Sequence, residues 1–92
     1  MEKFFVHAKA DTVGVAVADI QAGERVTGWV MEDDSIIELQ AKSNIPLGHK
    51  IALQDIAKGE MVIKYGQPIG RATDTIARGE HVHVHNLKTA RW

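Results

Sequence analysis

Ile20-Gln21-Ala22-Gly23-Glu24-Arg25-Val26 returns twice more in this chain, as Ile56-Ala57-Lys58-Gly59-Glu60-Met61-Val62 and as Ile76-Ala77-Arg78-Gly79-Glu80-His81-Val82. Each copy reads apolar, two variable residues, Gly-Glu, one variable residue, then Val. The intervals between copies are unequal, which excludes a solenoid of fixed period and leaves a local turn that is used repeatedly. Glycine at the third turn position accepts positive φ without a Cβ clash, and Glu-x-Val then resumes an extended alternation. Each phrase is therefore a turn that feeds a strand. Ile45-Pro46-Leu47-Gly48-His49-Lys50-Ile51 is a looser fourth relative, in which Pro46 fixes φ and Gly48 again precedes an extended run.

Between the turns the chain favours strands. Thr12 to Val17 places Val13, Val15 and Val17 on one face, and Val26 to Met31 runs into the turn residues Asp33-Asp34 before Ser35 to Leu39. No segment keeps a helical apolar period for three turns. The pattern predicts a mainly β fold of many short strands, with at most single helical turns near 19–22, 55–58 and 75–78. Ninety-two residues, with no linker or low-complexity stretch, predict one domain over 1–92.

Composition removes several function classes. Without cysteine there is no disulfide framework, thiolate metal site or cysteine nucleophile, and an intracellular setting fits best. The net charge is −1 with no run of one sign, so the concentrated basic face that nucleic acid requires is missing. The start Met1-Glu2-Lys3-Phe4-Phe5-Val6-His7 has an early acid and no long apolar stretch, and no basic amphipathic helix follows. The expectation is a cytoplasmic protein with neither a nucleic-acid nor a membrane partner.

Three segments carry side chains capable of chemistry. In His81-Val82-His83-Val84-His85-Asn86, strand alternation puts the three histidines on one face and the two valines on the other. Neighbouring histidines on that face would have Cα atoms about 6.5–7 Å apart, close enough for two imidazoles to share one divalent ion. The spacing alone leaves a solvated polar face and a metal or acid–base site both open. Gly48-His49-Lys50 presents backbone N–H groups, an imidazole and an ammonium to an anion, or is an ordinary turn with an exposed lysine. In Val62-Ile63-Lys64-Tyr65-Gly66-Gln67-Pro68-Ile69-Gly70, Lys64 and Tyr65 precede a bend and face either a ligand or a partner, although a half-buried core edge suits Tyr65 equally. His7, near Asp11 and Thr12, reads as a capping or packing residue. Glu24, Glu60 and Glu80 follow turn glycines, and their repetition points to a structural or solvated role.

Taken in order, His7…Asp11-Thr12-Val13-Gly14-Val15-Ala16-Val17, Gly48-His49-Lys50-Ile51-Ala52-Leu53, the Lys64-Tyr65-Gly66 segment and Gly79-Glu80-His81-Val82-His83-Val84-His85-Asn86 resemble the N-terminal domain of the altronate/galactarate dehydratase family. The resemblance spans nearly the whole chain. It implies a SAF-type β-clip domain, present in some members as a separate small (alpha) subunit beside a large (beta) subunit. A chain ending at Trp92 resembles that split form. It also implies a lyase that removes a proton from C2 of a small anionic hydroxy-acid while sulfite or hydroxide leaves C3, using a divalent metal of the iron type. The Val13-Gly14-Val15 form and the ending Asn86-Leu87-Lys88-Thr89-Ala90-Arg91-Trp92 are more similar to the members that expel sulfite. Under this resemblance His49, Lys50, His83 and His85 are the expected catalytic residues, with His81, His83 and His85 as metal ligands. Lys64, Tyr65 and Asn86 are the expected substrate contacts. A non-catalytic SAF-type binding module and a histidine-rich metal carrier are the alternatives.

Overall fold

Residues 1–89 are described in the computed structural model, and the four glycine turns within them share one geometry. Gly23, Gly48, Gly59 and Gly79 have φ of 86–89°. The residue after each donates its N–H to the carbonyl three positions back: Glu24 to Gln21 (3.0 Å), His49 to Pro46 (3.0 Å), Glu60 to Ala57 (2.9 Å) and Glu80 to Ala77 (3.0 Å). This is the type II turn, whose third residue needs positive φ. In three copies the glutamate closes the turn from the other side. Oε1 of Glu24, Glu60 and Glu80 accepts the N–H of Gln21, Ala57 and Ala77 respectively. The repeated glutamates are structural. The fourth copy has Pro46 in the donor's place, with no N–H to satisfy, and His49 stands where the glutamate would be.

Superposing the copies reveals a repeated residue that the sequence reading missed. Ala16, Ala41, Ala52 and Ala72 each lie four positions before the turn isoleucine, and all are buried. Each alanine exchanges two backbone hydrogen bonds with another copy: Ala16 with Gly48 and His49, Ala41 with Gly23 and Glu24, Ala52 with Gly79 and Glu80, Ala72 with Gly59 and Glu60. The isoleucines meet in the same pairs, as bridges Ile20–Ile45 and Ile56–Ile76. Four copies of one turn therefore clasp two by two, and this positions the strands between them.

Those strands are β1 (Phe4–Val6), β2 (Val13–Ala16), β3 (Arg25–Val30), β4 (Ser35–Gln40), β5 (Lys50–Ala52), β6 (Met61–Lys64), β7 (Gln67–Ala72), β8 (His81–Val82) and β9 (Leu87–Thr89). They form a six-stranded sheet in the order β4-β3-β1-β2-β5-β8 and a three-stranded sheet β6-β7-β9. One buried cluster centres on Phe4, Ile20, Ile45 and Ile51, and the other on Ile56, Val62, Ile76 and Val82. Phe4 lies against Gly28, where a Cβ would come within 2.0 Å of its ring. A side chain at position 28 would have to displace the largest buried residue.

The mainly β reading holds. The single helical turns expected near 19–22, 55–58 and 75–78 are absent, since these segments carry the isoleucine bridges and lead into the glycine turns. The isoleucine N–H groups there go to other copies and the N–H groups of Gln21, Ala57 and Ala77 to the closing glutamates, so neither serves a helical turn. Val13, Val15 and Val17 do share a face, but it borders an open cleft, while Gly14 and Ala16 face inward. Residues 90–92, which end the segment Asn86–Trp92, lie outside the described residues.

Candidate metal and substrate site

The histidine segment is a strand only as far as Val82. β8 pairs with β5 through Lys50–Val82 and Ile51–His81. Beyond Val82 the chain turns: the Asn86 N–H donates to the His83 carbonyl at 3.0 Å. Val84, expected opposite the histidines on an apolar face, is 80% exposed at the tip. The extended alternation fails because Asn86 captures both sides of the loop. Its Oδ1 accepts the His83 N–H at 2.9 Å and its Nδ2 donates to the His81 carbonyl at 2.8 Å. Asn86 is buried, so its amide holds the loop instead of facing a substrate as the sequence suggested.

The turn gathers imidazoles that a straight strand would spread out. His81 and His83 rings lie parallel with centroids 5.5 Å apart, and His85 folds back to 5.2 Å from His81. His49 enters from the fourth glycine turn, stacked on His83 at 4.2 Å. Its Nδ1 is 2.8 Å from Nε2 of His81, so one ring donates and the other accepts. The His81 backbone is fixed in turn by Ser43, whose Oγ accepts its N–H. One nitrogen from each of His49, His81 and His83 falls within 4.8 Å of the others. His49, read from sequence as an acid–base or anion-binding residue, thus joins the ligand-capable group, while His85 sits at its exposed rim.

Burial and neighbouring charge disfavour protonation of two of these imidazoles, His81 and His83. Burial, and then the charges of His49, His85, His83 and Lys50, push His81 below the ordinary imidazole range. Burial, then His49, Lys50 and His85, do the same to His83. Lys50 is itself lowered, first by burial and then by Lys64. Lys50 thereby links the imidazoles to Lys64, at the end of β6. Tyr65 and Gly66 then turn with φ of 56° and 70°, the type I′ geometry of a two-residue hairpin. Buried Asp11 clamps that hairpin, accepting the N–H groups of Tyr65 (3.0 Å), Gly66 (2.8 Å) and Ala8 (3.1 Å). Tyr65 stacks edge-on against His7 with centroids 4.6 Å apart. Both line a cleft of about 230 Å³ with Phe5, Val15, Val17 and Met31. Tyr65 therefore belongs to the cleft, and the packing role read for His7 agrees with its place there. An aspartate four residues after a strand-end histidine gave no sign in the sequence that it would anchor a hairpin more than fifty residues away.

The altronate/galactarate dehydratase SAF domain matches residues 2–90. The chain belongs to this family. Among its relatives, the (2R)-sulfolactate sulfo-lyase subunit alpha of Chromohalobacter salexigens is 51% identical over 97% of this chain and 96% of its own length. The subunit of the same name from Paracoccus pantotrophus is 48% identical over 68% of this chain and 94% of its own length. The altronate dehydratase of Bacillus subtilis is 44% identical over 97% of this chain, but the match spans only 17% of that longer protein. No helix among the described residues of this SAF domain is long and apolar enough to cross a membrane.

The imidazole group fits the divalent metal implied for this family. All three donors are ring nitrogens, burial lowers the proton affinity of His81 and His83, and imidazole suits iron, zinc and nickel. The three donor nitrogens lie within 4.8 Å of one another, and the nearest pair, His49 Nδ1 and His81 Nε2 at 2.8 Å, would have to part slightly to share one ion.

Proposed function

We propose that the chain is the small subunit of a cytoplasmic carbon–sulfur lyase that eliminates sulfite from (2R)-3-sulfolactate, working with a large subunit. The observation that carries this reading is a cluster of His49, His81 and His83 bordered by Lys50 and Lys64, in a chain most of whose length matches sulfo-lyase alpha subunits. A cysteine-free composition accords with the cytoplasm. The chain acts as a single SAF-type domain over 1–92: β2 and β5 each serve both buried clusters, β2 through Ala16 and Val13 and β5 through Ile51 and Ala52.

The chemistry needs three things: a place for two anionic groups, relief of charge developing on the C2 side, and a proton acceptor. Sulfolactate carries a carboxylate and a sulfonate, and the paired ammonium groups of Lys50 and Lys64 supply matching charge. His49, His81 and His83 would hold a divalent ion of the iron type. When bound, it supplies Lewis acidity that stabilises an enediolate. His85, at the open rim beside His81, is positioned to exchange protons with the substrate. The C2–H pair becomes the C2–C3 double bond as the C3–S bond breaks. Sulfite departs with the sulfur electron pair, and the enol tautomerises to pyruvate. Asn86 acts on this chemistry by shaping the histidine loop. Dehydration of a sugar acid such as altronate is the second reading, favoured by the altronate dehydratase match across 97% of this chain.

The two readings separate in one assay of the complex with its large subunit. Sulfite and pyruvate should appear in equal amounts from (2R)-3-sulfolactate, with no 2-keto-3-deoxy acid from altronate. The opposite pattern would move the assignment to the dehydratase branch, and no activity on either acid would leave a binding module.

A further inference from the structure

The outer face of the six-stranded sheet carries an apolar stripe that ends at the site. Ile36, Trp29, Phe5, Val15 and Lys50 are successive register partners across β4, β3, β1, β2 and β5. Register partners project to the same face of a sheet. Phe5 and Trp29 meet edge to face at 5.5 Å. Beside the stripe, Val17 and Met31 are 41% and 39% exposed, and Ile36 is 54% exposed. The cleft of Phe5, Val15, Val17 and Met31 opens on the same face, with Lys64 and Tyr65 at its rim.

Two features identify the occupant. The cleft is walled mainly by apolar side chains, whereas the proposed substrate is polar throughout and would lose its hydration there. The charged end of the stripe offers ammonium groups: Lys50 is the register partner of Val15 and Lys64 lines the cleft, while the one carboxylate there, Asp11, is buried and occupied by the N–H groups of Ala8, Tyr65 and Gly66. A surface that is apolar in the middle and cationic at one end fits a partner with an apolar projection followed by carboxylates. We propose that this face docks the large lyase subunit, which inserts an apolar side chain between Val17 and Met31 and sets a carboxylate on the cleft side of Lys64, leaving Lys50 and the other side of Lys64 to the substrate. The inference rests on the two-subunit reading above, and it explains why a cluster of cations and imidazoles lies at the end of an uncovered apolar stripe.

The test co-expresses the full chain with the large sulfo-lyase subunit and measures their dissociation constant. Val17→Asp with Met31→Asp places two charges in the contact and should weaken binding by about 100-fold. Lys58→Asp, in an exposed turn outside the cleft, should leave it within about threefold. Circular dichroism and the melting temperature of the isolated double variant should match wild type, since both positions are already solvent-exposed. An unchanged dissociation constant in the folded double variant would overturn the proposal. So would wild-type chain that does not bind the large subunit, or that instead forms a dimer dissolved by the same substitutions. Complex formation that responds as expected but releases no sulfite would retain the surface and retire the substrate.

Discussion

At the scale of single residues, Pro46 is the reason a histidine is available at the site. The other three turns spend a glutamate on the N–H that Pro46 lacks. Restoring both partners, Pro46→Ala with His49→Glu, should therefore rebuild the closed turn and keep denaturant stability within about 1 kcal/mol of wild type. It should lower divalent-metal affinity by at least about tenfold, as read by isothermal titration. Asn86→Ala should act in both respects at once. It unties the His83 N–H from the His81 carbonyl, costing about 1–3 kcal/mol in denaturant unfolding and weakening metal binding without touching a ligand. His81 makes the metal-free fold acid-sensitive. Burial, first of all, holds its folded imidazole below the ordinary histidine range. The unfolded chain then binds more protons in acid than the folded one, so stability falls as pH drops below about 6.5 and levels off once the folded imidazole also titrates. The melting temperature of the metal-free chain should fall across that range, and His81→Gln should flatten the dependence.

At the scale of elements, the turn phrase was legible because glycine at positive φ leaves a mark in sequence, and the same mark located all four turns. The alanine four residues earlier was not legible, since a small buried residue has no distinctive pattern until its backbone partners are known. The histidine strand was half legible. Alternation in His81–His85 is a real strand signal, but Asn86 outcompetes it with three hydrogen bonds to the loop, and residue order gives no measure of that competition. The turns also permit an internal comparison. Gly59 and Gly79 share a φ of 89°, yet a Cβ at 59 meets open space while one at 79 would lie 2.2 Å from the Gln40 carbonyl oxygen. Gly59→Ala should cost about 1–2 kcal/mol of backbone strain. Gly79→Ala adds the clash and should cost clearly more, as measured by urea unfolding of both variants.

At the scale of the whole molecule, four clasped turns carry strands whose inner faces make the core and whose outer face leads from exposed apolar side chains to imidazoles. The fold class was readable because period-two alternation and turn glycines are local. The site was readable as segments only. His49 and His81 are thirty-two residues apart and meet through β5–β8 pairing, which no spacing rule announces. Lys64 reaches the same neighbourhood because Thr12 exchanges two hydrogen bonds with Ile63 and Asp11 clamps the hairpin that follows. In the proposed reading the assembled histidines serve a sulfite-eliminating site shared with a large subunit. The steady-state rate of sulfite release from (2R)-3-sulfolactate by the complex, wild type against His83→Ala, tests it most directly. The account predicts robust release by wild type and a fall of at least about 100-fold in the variant; a His83→Ala complex that turns over at the wild-type rate would contradict it.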